Sequence, residues 1–314
     1  MLAGPLQADT VSVTMHGRLD QPPPTPAIRR PAFSLVELLV VIAIIAILVS
    51  LLFPALGYCH RMAKQSREAA AGAQLMAAYT VYANDNRGSV LPGYATDAMV
   101  SGPAGSVVTD DTGTRLTGQV ARRYPWRLAP ALDFNFRGLY DDPAILERYQ
   151  NQADRPYVVS VSPSFGINAD FVGGKSAPGF GFNANATRVW GQFYITRLDQ
   201  IRRSDRLLVF ASARGVDASL GGGPGGGGAG DGSGVVPGFH LVNSPFLQAS
   251  RWDPAPFSDS ADPEAHGNVH PRHSGKANVA HADGHLNPLG LDDLRDMTRW
   301  SNQATRADWT LGSN

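Results

Sequence analysis

The chain has 314 residues, with 27 Lys and Arg balancing 27 Asp and Glu at a formal net charge of zero. No basic stripe runs along it, which argues against a nucleic-acid partner. Charged residues are only 17% of the chain, while Gly (34) and Pro (23) are frequent. That balance suits a loop-rich domain outside the cytoplasm better than a compact cytosolic enzyme.

The first 32 residues form a polar leader containing Gln21-Pro22-Pro23-Pro24-Thr25-Pro26, which favours an extended, unstructured chain. Met15 offers an alternative start and would shorten this leader to eighteen residues. Phe33 to Phe53 follows, 21 residues in which only Ser34, Glu37 and Ser50 are not apolar. As a helix it would reach about 31 Å, the thickness of a bilayer hydrocarbon core. It is longer than the roughly 7–15 residues of a signal-peptide core, and no small-residue cleavage pattern follows it. The segment therefore reads as a retained single-pass span. Arg29 and Arg30 just before it predict a cytoplasmic N-terminus and an extracytoplasmic remainder, although His60, Arg61 and Lys64 beyond it reduce the asymmetry. Cys59, the single cysteine, permits no intrachain disulfide.

Glu37 is the anomaly. A carboxylate at mid-bilayer costs on the order of 2.5–3.5 kcal/mol on insertion scales, and less near an interface. It either snorkels to the cytosolic headgroups or has a specific partner. The run Arg29-Arg30-Pro31-Ala32-Phe33-Ser34-Leu35-Val36-Glu37-Leu38 resembles the N-terminal cleavage and methylation signal of type IV prepilins and type II secretion pseudopilins. The resemblance implies a cut between Ala32 and Phe33 by a prepilin peptidase, with N-methylation of the new Phe33 amine. Glu37 then becomes the fifth mature residue, which in such assemblies pairs with the N-terminal amine of a neighbouring subunit. Opposite charges meeting in a low dielectric would each offset the other's desolvation. Pro54 falls where pilins often carry a helix-kinking proline. The sequence departs from the family at Ala32, where Gly is usual, and at Ser34, where Thr is commoner.

Beyond the span, 54–87 reads as an extramembrane continuation of the helix. Arg61 to Tyr82 is rich in good helix formers. Leu75, Tyr79 and Tyr82 recur on one face, and Asn84-Asp85-Asn86-Arg87-Gly88 is a stop signal. Pro54 should bend the helix by removing a backbone donor. The resemblance implies an α+β, pilin-like fold. Its long N-terminal helix, transmembrane in its first half, would pack on an antiparallel β-sheet with long loops.

Residues 88–314 read as a β-rich globular domain. Tyr124 to Leu132 predicts a short helix. Tyr157–Val161, Val189–Ile195 and Arg206–Ser212 predict strands from their β-branched and aromatic content. Residues 221–234 hold ten glycines in fourteen and read as a flexible insertion.

Five of the eight histidines, His266, His270, His273, His281 and His285, fall near the C-terminus. Asp283-Gly284 predicts a two-residue hairpin turn that sets Ala282 opposite His285 and His281 opposite Leu286, with a turn at Ser274-Gly275-Lys276 before the first strand. His273 followed after nine residues by Asp283-Gly284 resembles the H-X9-DG motif found at the C-terminus of many prepilin-like proteins. In the structural reading, His273 hydrogen-bonds backbone ahead of the hairpin and Asp283 shapes the turn. In the competing reading, His281, Asp283 and His285 bind a metal.

Two functions therefore stand side by side. One is a non-enzymatic structural subunit of a pilus-like or pseudopilus-like filament in the bacterial inner membrane. Its partners would be the prepilin peptidase and other pilin-like subunits, with no cofactor. The other is a monomeric membrane-anchored binding module using the C-terminal histidines. No Gly-x-Ser-x-Gly or phosphate-loop pattern supports catalysis.

Overall fold

A single helix, α1, runs from Leu35 to Asp85, 51 residues in all. It belongs to a computed structural model that describes residues 34–102, 105–140, 146–147, 153–176, 182–217, 219–220 and 234–313. The chain divides into two compact units between Ala55 and Leu56. In the first unit the large apolar side chains from Leu35 to Phe53 are exposed. A helix apolar all round and left uncovered among the described residues is suited to lipid or to another subunit. It is long and apolar enough to cross a membrane.

In the second unit the later turns of α1 pack on a sheet. Ala71, Leu75, Met76 and Tyr79 are buried in one cluster with Phe165, Ile167, Phe210 and Ala280. Tyr79 meets Phe210 edge to face, ring centroids 5.6 Å apart. Burying each such large side chain stabilises by roughly 1.5–3 kcal/mol. Gly72 lets the helix approach closely, because a Cβ there would lie 2.5 Å from Leu286 Cδ2 and 2.9 Å from Phe165 Cζ. The helix ends as the sequence predicts. Arg87 takes a left-handed conformation (φ 56°), Arg87 N–H donates to Asn84 O and Gly88 N–H to Ala83 O. That pair of bonds is a Schellman cap.

The sheet contains β1 (Phe165–Asn168), β2 (Leu208–Ser212), β5 (Leu241–Val242), β6 (Lys276–His281) and β7 (Leu286–Gly290) in the order β5-β1-β2-β6-β7. The short strands β3 (Gly215–Val216) and β4 (Val235–Val236) pair separately. Helix α1 covers one face. The other face carries a second core with Val279, Leu208, Trp252 and Trp300. Burial on both faces explains why β2 is apolar from Leu208 to Ala211 rather than alternating. The architecture is thus α+β, consistent with a pilin-like arrangement. The sheet expected to be antiparallel is so at three of its four pairings and mixed overall, because β1 and β5 run parallel. Their parallel pairing follows from the long excursion through residues 169–240, since adjacent parallel strands need a crossover.

The predicted strand at Arg206–Ser212 corresponds to β2, and Tyr124–Leu132 is helical. One predicted strand is a helix instead, and a second is mostly irregular. Tyr157–Val161 lies in Arg155–Val161, where Pro156 sits in the first turn and its fixed φ favours helix over the β-branched preference. Of the predicted strand Val189–Ile195, Val189 and Trp190 end the helix Ala184–Trp190 and residues 191–195 form no strand, Ile195 making an isolated bridge with Val172. The first turn of that helix is capped by Asn183, and Gly191 (φ 71°) stops it.

Candidate functional site

The N-terminal signal lies at the edge of what is described. The leader 1–32, Ala32 and Phe33 fall outside the described residues, as does the glycine-rich stretch from 221 to 233. From Ser34 onward the geometry is specific. Ser34 N–H donates to Glu37 Oε2 (2.9 Å), and Glu37 N–H donates to Ser34 Oγ (3.2 Å). This reciprocal pair is a capping box that satisfies two orphan donors at the start of α1. Ser-x-x-Glu is its sequence signature. Glu37 Oε1 accepts no bond among the described residues, so one carboxylate oxygen remains for another donor. Pro54 lies inside α1, whose helical assignment continues through it.

The C-terminal motif forms a hairpin, but not in the predicted register. Ala280 pairs with Leu286 and Val279 with Asn287. His281 N–H donates to His285 O and Gly284 N–H to His281 O. The loop is therefore the three residues Ala282-Asp283-Gly284, with Gly284 left-handed at φ 93°. This is the turn-plus-bulge hairpin, and it shifts the register by one residue. The shift sets His281 directly opposite His285, and their rings stack at 4.3 Å. Asp283 does shape the turn, since its Oδ1 accepts from His285 N–H (3.1 Å) and Nδ1–H (2.6 Å).

These contacts bear on metal binding. His281 Nδ1–H donates to Arg206 O at 3.1 Å. Its free Nε2 is buried, and burial beside His285 pushes its pKa down to about 4. Asp283 meanwhile holds His285 through Nδ1. Among the described residues no group of three His, Cys, Asp or Glu is placed to hold a metal ion.

His273 occupies an unexpected place. Its main chain closes a tight turn with Lys276 over Ser274 (φ 53°) and Gly275 (φ 78°). Its Nε2 contacts Oε2 of Glu68 on α1. Asn278 Nδ2 donates to the same oxygen at 2.9 Å, and Arg272 Nε stands 3.7 Å from Oε1. Glu68 is 5% exposed. Burial pushes its carboxyl up, but the His273 hydrogen bond and the charges of Arg272 and His273 outweigh this and hold it below its ordinary value. His273 thus docks the hairpin onto the helix. Glu68 was missed from the sequence, although it lies seven residues before Leu75 on the same helical stripe. A carboxylate within an apolar stripe was the available signal.

With this geometry in place, a family model described as a prokaryotic N-terminal methylation motif matches residues 29–53. No curated protein and no solved structure matches the chain. The matched motif supports a prepilin-type signal, and the apolar helix fits a membrane-anchored protein.

Proposed function

We propose that this chain is the precursor of a structural subunit in a type IV pilus-like or type II secretion pseudopilus-like filament. A prepilin peptidase cuts between Ala32 and Phe33, and the Phe33 amine is methylated. The chain waits in the inner membrane with its N-terminus cytoplasmic and its C-terminal domain outside. It then assembles through α1, with Glu37 receiving the N-terminal amine of a neighbouring subunit. The role is mechanical, and the chain is not an enzyme and uses no cofactor. The observation carrying this reading is the methylation motif at 29–53, with Glu37 four residues after Phe33. The exposed apolar surface of α1 supports it, because that surface needs lipid first and subunits later.

The test is assembly of Glu37→Ala beside Ser34→Ala. Both remove the capping box, but only the first removes the carboxylate. The proposal expects normal membrane insertion for both and loss of filaments for Glu37→Ala alone. Filaments at wild-type yield from Glu37→Ala would refute the pairing role.

A further inference from the structure

Among the described residues, one of several clefts lies beside α1 just past its apolar run. Tyr58, Arg61, Met62, Lys64 and Gln65 of α1 line it with Arg272, His273 and Ser274, around a volume of about 250 Å³. All of these belong to the second unit. No acid lines the cleft among the described residues. Glu68 lies behind it and is engaged by His273 and Arg272. It offsets one positive charge, which leaves Arg61 and Lys64 in excess. Both are exposed and form no ion pair among the described residues.

The place of the cleft along α1 matters. Tyr58 follows the last residue of the apolar run, Phe53, by five positions in the chain, and Arg61 by eight. So few intervening residues keep the Arg61 and Lys64 charges close in the chain to the end of the apolar run. In a membrane-anchored chain that is where lipid phosphates lie. A guanidinium fork binds phosphate oxygens in pairs, an ammonium adds a point charge, and the Tyr58 and Ser274 hydroxyls can donate. Met62 and the Tyr58 ring supply apolar surface beside these donors.

We propose that this cleft binds the phosphodiester headgroup of an anionic phospholipid, one lipid per chain. The proposal rests on the membrane-anchored reading above. It assigns the turn that carries His273 a second role. Besides docking on α1, that turn completes a lipid site at the membrane exit of the helix.

The test uses the full chain purified in neutral detergent and equilibrated with equal amounts of phosphatidylglycerol and phosphatidylcholine. Bound lipid is counted by native mass spectrometry. One phosphatidylglycerol should be retained in preference to phosphatidylcholine. The double variant Arg61→Gln, Lys64→Gln should lower that preference roughly tenfold or more, and Arg61→Lys should largely keep it. Thermal midpoints should stay unchanged, since both side chains are exposed. Equal retention of the two lipids, or an unaltered preference in the double variant, overturns the proposal. Displacement of phosphatidylglycerol by inorganic phosphate overturns it too, and identifies a free-anion site. Neither residue belongs to the cleavage signal. Phe33 methylation in the same samples therefore shows whether the lipid site has failed alone or the processing reading has failed with it.

Discussion

His273 and Glu68 lie 205 positions apart in sequence and meet side chain to side chain in the interior. One belongs to the turn before β6 and the other to α1. Asn278 of β6 donates to the same carboxylate oxygen. The contact ties the C-terminal hairpin to the helix that carries the N-terminal signal. It gives the histidine of the H-X9-DG spacing a physical task that needs neither metal nor catalysis.

Removing one partner of this cluster should destabilise the second unit strongly. Glu68→Leu leaves the Arg272 charge and the His273 and Asn278 donors facing an apolar side chain. A loss of about 3 kcal/mol is expected, read as a lowered thermal midpoint. A double-mutant cycle with His273→Ala should return a non-zero coupling. Additive effects would show that the contact contributes nothing.

Stability should also fall on acidification, in two stages. The His281 pKa drops from 6.5 to about 4 on folding, through burial and the neighbouring His285. The unfolded chain then binds more protons than the folded one between those values. Stability from this residue is present above pH 6.5 and is lost as the pH falls toward about 4. The Glu68 carboxyl is held below its ordinary 4.5, so its contribution is present above that pH and is lost below it. His281→Gln should flatten the thermal midpoint across the upper stage only.

The second core holds a buried ion cluster whose disruption should be costly. Asp170, with a fully buried side chain, sits 2.8 Å from Lys175 Nζ and 2.7 Å from Arg251 Nη1. Burial raises its pKa, but the Lys175 and Arg251 charges overcome this and bring it to about 2. Asp170→Asn strands Lys175, which is 8% exposed. A loss on the order of 3–5 kcal/mol is expected from chemical unfolding.

The three-residue turn predicts the outcome of a subtler change. Gly284 adopts φ 93° with open space where a Cβ would go. Gly284→Ala should therefore cost about 1–2 kcal/mol through backbone strain alone. An unchanged midpoint would contradict the turn geometry.

Much of this architecture was legible in the sequence because it depends on local rules. The apolar run, the face of Leu75, Tyr79 and Tyr82, and the stop at Arg87 and Gly88 all obey helix periodicity and capping. The core strand at Arg206–Ser212 announces itself through its unbroken apolar run. The failures came where tertiary context or a cap outweighed residue preference. Pro156 turned a valine-rich run into a helix, and a helix capped by Asn183 and stopped at Gly191 took the first two residues of the run predicted from Val189 to Ile195. The hairpin was recognised from Asp283-Gly284, but its register depended on whether two or three residues made the loop, which those letters leave open. The Glu68–His273 contact was hidden for a different reason. Nothing local pairs residues so far apart, and only the packing of α1 on the sheet brings them together.

The central claim is that the chain is a prepilin-type precursor whose mature N-terminus is Phe33. Intact-mass and peptide mass spectrometry of the membrane-bound protein, from a host with an active prepilin peptidase, addresses it directly. The account predicts a chain that begins at Phe33 with a methylated amine. Chains that begin at Met1 or Met15, with no methylated Phe33 product, would contradict it.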